Sequence, residues 1–109
     1  QQATAMRGGV GDAYLRILSR GEGRSPLRAT AINRLPPGSS WGPEKHPHAE
    51  EILIILSGEA EVIDSGGRHT LTTHDSLQAQ PNERLAIRNA GASELIFLAI
   101  LINHPRSLF

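Results

Sequence analysis

A chain of 109 residues has room for one domain and one core, since a domain of this size buries roughly two-thirds of the surface that its unfolded chain exposes. Its 11 Lys and Arg balance its 11 Asp and Glu, which leaves no long-range field to draw in nucleic acid, anionic lipid or polyanionic substrates. The lack of cysteine excludes disulfides, thiolate nucleophiles and Cys-based zinc sites, and the densest apolar stretch, Ile52–Leu56, falls far short of the about 18 residues that cross a bilayer.

Gln1–Gly9 lack an initiator Met, a basic n-region and an apolar h-region, and read as a flexible lead-in trimmed from a longer product. Beyond them, short apolar runs of period two alternate with Gly, Pro, Asn and Ser clusters, which predicts an all-β sandwich or barrel with no long helix. The expected strands are Ala13–Leu18, Arg28–Leu35, Glu51–Ser57, Glu59–Ser65, Arg68–Leu71, Ser76–Ala79, Glu83–Asn89 and Leu95–Leu101. Pro36-Pro37-Gly38 ends the second of these, because two backbone donors are missing there. Gly58 divides the run Ile52–Ile63 at a bend or bulge, and Gly66-Gly67 supplies a tight hairpin. The run Ile96–Ile102 is apolar at nearly every position, so one face suits the core and the other suits a partner subunit, and a homodimer is expected.

Candidate chemistry gathers after Gly38. On a regular strand Glu44, His46 and His48 would share a face, with Glu51 close behind. The series Gly38, Glu44, His46, Glu51, Gly58 resembles the first motif of the cupin family, with Glu44 where that family carries its first histidine. Asp75 and Asn89 are similar to the second cupin motif, but Gln80 and Asn82 stand at its turn, His74 at its leading Gly and Leu85 at its metal-binding His. The flanks, Tyr14-Leu15-Arg16 and Ala90 to Leu98, also resemble small stand-alone cupins, so the likeness runs over about residues 9–102 of a single cupin domain. It implies a double-stranded β-helix, or jelly roll, with a small-molecule site inside.

Two chemistries follow for Glu44, His46 and Glu51. As acid and base with separated pKa values, and with Leu85 as pocket wall, they suit the proton transfers of an isomerase, cyclase, dehydratase or other lyase in bacterial secondary or carbohydrate metabolism, with no cofactor required. As metal ligands they suit manganese or ferrous iron in a dioxygenase or metal-assisted isomerase, with the fourth histidine lost. A reading from a different class is a non-catalytic ligand-binding or dimerisation module.

Trp41, in the loop that enters the first motif, is expected either to cap a ligand at the barrel mouth or to pack on a partner. Gln78 and Gln80 are expected to offer amides to a polar substrate at the rim. His69, His74 and His104 read as turn, hairpin and tail residues, and Arg16, Arg34 and Arg88 as mostly outward charges. The partners expected are therefore a small molecule and a second copy, with neither nucleic acid nor membrane, and a cytoplasmic setting is the default.

Overall fold

Alternation of small or apolar with polar side chains makes these segments strands, because successive residues of an extended chain face opposite sides of a sheet. The computed structural model describes residues 2–4 and 9–104, apart from the side chains of 2–4 and of Glu44. Within that range the strands are β1 (Gln2–Thr4), β2 (Asp12–Arg20), β3 (Leu27–Leu35), β4 (Ser40–Glu44), β5 (Ala49–Ser57), β6 (Ala60–Asp64), β7 (Gly67–Leu71), β8 (Ser76–Ala79), β9 (Leu85–Asn89) and β10 (Leu95–Asn103). No helix occurs among the described residues.

The strands form two antiparallel sheets, a six-stranded one in the order β1-β2-β3-β10-β5-β8 and a four-stranded one in the order β4-β9-β6-β7. They face each other across one apolar core, the jelly roll expected of the sequence. Two elements depart from expectation. Gln2–Thr4, expected to be a loose lead-in, pair with Asp12–Tyr14. Ser40–Glu44, expected as loop, pairs with β9 through Trp41↔Ile87 and Glu44↔Leu85.

The connections alternate between two ends of the barrel, and the ends differ. At one end meet the segments 36–39, 58–59, 72–75 and 90–94, tied by Asn89 N–H to the Ser39 carbonyl (2.9 Å), Ala90 N–H to Glu59 (3.1 Å) and His74 N–H to Ile55 (2.8 Å). Asn89 is the clip here: its Nδ2 donates to the carbonyls of Leu35 and Ser93, each at 2.8 Å, and its Oδ1 accepts from Gly91 N–H at 2.9 Å. Gly58 belongs to this end for a steric reason. Its φ is +97°, and a Cβ there would stand 2.8 Å from the Glu94 carbonyl oxygen.

The filling is correspondingly dense: Leu35, Trp41, Ile55, Leu95 and Phe97 are all buried, and Trp41 meets Phe97 edge-on at 6.0 Å and 83°. Such an aromatic pair adds about 0.5–1.5 kcal/mol beyond its area burial. Trp41 is thus a core residue at 1% exposure, which corrects both expectations for it, mouth cap and partner contact. Its strand pairing with β9 turns the indole inward.

Candidate functional site at the alanine-lined end of the barrel

At the opposite end lie the segments 21–26, 45–48, 65–66 and 80–84 and the end of β10. They are joined by Asn82 N–H to the His46 carbonyl (2.7 Å), His104 N–H to His48 (2.6 Å) and Asn103 N–H to Pro26 (2.7 Å). Here the inward side chains shrink. Ala31, Ala49, Ala79 and Ala99 occupy inner positions of β3, β5, β8 and β10.

Exposure follows that change in size. Along the inner face of β10 it rises from 0% at Leu95 and Phe97 to 8% at Ala99 and 9% at Leu101, and along β3 from 0% at Leu35 to 9% at Ala31. Exposure thus rises along these two strands toward this end, while Ala49 stays at 2% and Ala79 at 4%, and small inner side chains at such an end are how small barrels taper.

Glu51 stands in this part of the interior. Its register partners are Ala79 on β8 and Leu101 on β10, and it is 4% exposed on the same face of β5 as Leu53 and Ile55. A buried carboxylate among alanines is a polar group the fold has no packing reason to hold, since it must be desolvated and paired.

His46 lies five residues earlier, on the loop that crosses this end. The residue is half-buried while its Nε2 is shielded from solvent, so the imidazole edge is directed into the protein. The extended course expected through Pro47 does not occur: β4 ends at Glu44 and residues 47–48 form a turn, which leaves His48 exposed and breaks the shared face of Glu44, His46 and His48. Proline at 47 explains the break, as it cannot donate to a ladder.

The β4 register sets Glu44 opposite Leu85, and the Glu44 side chain lies outside the described residues. Leu85 itself is 2% exposed, part of the same core cluster as Ile87 and Ala79.

Gln78 is corrected by the alternation of β8. Leu77 and Ala79 face inward, so Gln78 points off the outer face, where its amide donates to Glu50. Gln80 is also exposed, and its backbone N–H is held by Glu83 Oε1 at 2.8 Å. Gln78 thus lies away from the rim, whereas Gln80 stands on the 80–84 segment at this end.

Asn33 was not anticipated: it is a buried amide on the inner face of β3, between Leu15 of β2 and Phe97 of β10. The alternation Ala31, Asn33, Leu35 was the signal that could have found it.

Electrostatics on this end come from two further carboxylates. Glu83 accepts from the Ser65 hydroxyl and from Gln80 N–H, in that order of effect, and these bonds hold its pKa below the ordinary value. Glu50 is lowered likewise by hydrogen bonds from His104, at 2.8 Å, and from Gln78. Both tie loops and strand ends together on the surface. His69, which pairs with Asp64 at 3.0 Å, is a hairpin residue, and His74 is a turn residue at φ 73°.

The shallow hollows on the outside of the molecule do not include the site. One of about 440 Å³ lies over Tyr14, Arg16, Ile32 and Arg34, and one of about 610 Å³ over Pro43, Ile63, Glu83 and Ala86. Both are grooves on outer sheet faces without His46 or Glu51.

For a divalent metal, the described side chains offer His46 and Glu51 at family ligand positions, while the last position is the apolar, buried Leu85. No group of three His, Cys, Asp or Glu side chains suited to a metal ion occurs among the described residues. The described donor set does not make a metal cage, so no chemical step is routed through one.

The comparisons with known proteins agree with this architecture. The chain is 35% identical over 103 residues to a protein of Thermotoga maritima named oxalate-binding protein, an alignment covering 94% of this chain and 85% of that one. A crystal structure of a predicted oxalate decarboxylase from the same organism matches with a TM-score of 0.90 at 35% identity, over 94% of this chain and 90% of the other. A Klebsiella pneumoniae protein with a double-stranded β-helix domain shares the fold at 20% identity, with a TM-score of 0.75 over 87% of this chain and 80% of that one. The family description "Cupin domain" matches residues 31–101, and the chain belongs to that family.

Proposed function

We propose that the chain binds a small organic molecule at the alanine-lined end of the barrel and moves a proton on it, with Glu51 and His46 as base and acid. Glu44 joins them by its place in the motif. The observation that carries this reading is Glu51 itself, an acidic side chain at 4% exposure on the inner face of β5 with Ala79 and Leu101 as its register partners. A base that removes a proton from carbon and an acid that returns one elsewhere make up isomerase, cyclase or dehydratase chemistry, for which positioned carboxylate and imidazole groups are sufficient. The walls, Ala31, Ala79, Ala99 and Leu85, exclude bulk water around that transfer.

Exchange with solvent tests it. Protein incubated in D2O with small carbonyl-bearing and polyhydroxy metabolites should load deuterium into at least one of them, read by mass spectrometry. That exchange should fall by about 100-fold or more in Glu51→Gln, the lower end of what one general base contributes. Full exchange in Glu51→Gln would contradict the reading.

A binding module without catalysis is the second reading, favoured by the name of the Thermotoga maritima relative. It is distinguished by ligands that raise the melting temperature with no deuterium exchange in any of them.

A further inference from the structure

Two arginines on the outer face of the six-stranded sheet take no part in the proposed proton transfer. β2 and β3 pair with Tyr14 opposite Arg34 and Arg16 opposite Ile32, so these four side chains share a face and the arginines stand at diagonal positions. Diagonal neighbours across a strand pair are about 7–8 Å apart, within reach of long side chains, so both guanidinium groups can meet one small group held between them. The outer hollow of about 440 Å³ lies over these four residues and Leu15.

The two arginines are engaged to different degrees. Arg34 Cζ lies 5.3 Å from the centre of the Tyr14 ring, and its Nη1 stands 3.9 Å from Glu94 Oε1. The ring restrains the guanidinium, while an ion pair this long and this exposed offsets little of its charge. Arg16 is exposed, and its side chain forms no hydrogen bond, ion pair or ring contact among the described residues. Asp12, two residues before Tyr14 on β2, has a contact of its own and does not line the hollow. The described lining therefore carries two positive charges and no negative one, with Glu94 at its margin beside Arg34.

Two like charges in one hollow repel until an anion comes between them, and the planar fork of arginine matches a carboxylate in particular. The rest of the lining, Leu15, Ile32 and the body of Tyr14, is apolar. An inorganic anion would leave those side chains uncovered, whereas a carboxylate joined to a compact apolar body would cover them.

We propose that this hollow is a second binding site, for a small organic acid, with the carboxylate between Arg16 and Arg34 and the apolar body over Ile32 and Leu15. It is separate from the barrel interior and does not rest on the reading of Glu51 and His46.

The probes are benzoate, its uncharged analogue benzamide and inorganic phosphate, each titrated into the full chain at low ionic strength and followed by amide shifts. Benzoate should bind at least about tenfold more tightly than either of the others, with shift changes clustered at 14–16 and 32–34, and should weaken as salt is added. Arg16→Gln removes an exposed side chain, so it should leave the melting temperature nearly unchanged while weakening benzoate at least about tenfold. Arg34→Lys keeps the charge and loses the fork, and should weaken benzoate as well. Equal binding of benzoate and benzamide, an affinity unchanged in Arg16→Gln, shifts centred on Glu51 instead, or no response to benzoate would overturn the site. Phosphate binding as tight as benzoate would overturn the organic-acid class.

Discussion

Asn89 shows how one side chain closes the filled end of the barrel. Its amide satisfies two carbonyls and one N–H, one from the end of β3 and two from the 90–94 segment, at buried and part-buried positions. Asn89→Ala leaves those backbone groups without that partner, and the expected loss is about 2–4 kcal/mol in urea unfolding, given about 1–3 kcal/mol for each buried group left unsatisfied. A loss under about 0.5 kcal/mol would show that water replaces the amide. Gly58→Ala is expected to cost about 1–3 kcal/mol, because an L-residue is strained at a φ of +97° and the new methyl meets the Glu94 carbonyl. Its melting temperature checks this.

Residues of the second motif show which family positions were legible. His74 and Asn82 occupy positions where the family carries glycine, and both keep positive φ, 73° and 65°, a conformation that Asn and His adopt more readily than most residues. The backbone survived the substitutions that made the motif hard to read. Trp41 and Gln78 were misplaced for the opposite reason: a residue type suggested a role before a strand register was known to say which way it points.

Among the elements, the surface clips belong to strand ends. Glu50 links the start of β5 to β8 through Gln78 and to the end of β10 through His104, and Glu83 links the turn after β6 to the loop after β8. Both carboxyls are held below their ordinary value of 4.5, so the stability they add is present above that pH and lost as the pH falls through their folded-state values. Melting curves from pH 7 down to about pH 3 should therefore drop more steeply in the unaltered protein than in a Glu50→Gln, Glu83→Gln double variant. Since both groups are largely solvated, the difference should shrink in high salt. Parallel curves at low salt would contradict this account.

Strand existence was largely visible beforehand, since alternation and Gly/Pro breaks are local. β4 was hidden because Gly42 and Pro43 interrupt its pattern, and β1 because Gln2–Thr4 are too short to show one. The contrast between the two ends could not be read at all. It arises when Ala31, Ala49, Ala79 and Ala99, scattered along the chain, are brought to one end by antiparallel register.

For the whole molecule, the outer face of the six-stranded sheet remains. Ile96, Leu98, Ile100 and Ile102 of β10 stand there half-exposed, flanked by Ile32 and by Ile52 and Ile54. Arg16 and Arg34 lie toward one edge of this face and Glu50 toward the other. A second copy packed face to face would bury these apolar side chains, so the occupant expected is a second copy. Light scattering should give twice the 11.8 kDa chain mass, and Leu98→Glu should return the monomer. A monomer at all concentrations would contradict this assignment.

The central claim is that the alanine-lined interior around Glu51 takes a small molecule. A thermal-shift screen of small metabolites run in parallel on the unaltered protein and on Ala99→Phe tests it most directly. At about 100 times its dissociation constant a ligand contributes about 2.7 kcal/mol, which moves the melting temperature of a domain this size by about 10 °C or more. The account predicts such a rise with at least one compound and its loss when the aromatic ring introduced by Ala99→Phe fills the end of the barrel; an equal rise in both proteins, or none in either, would contradict it.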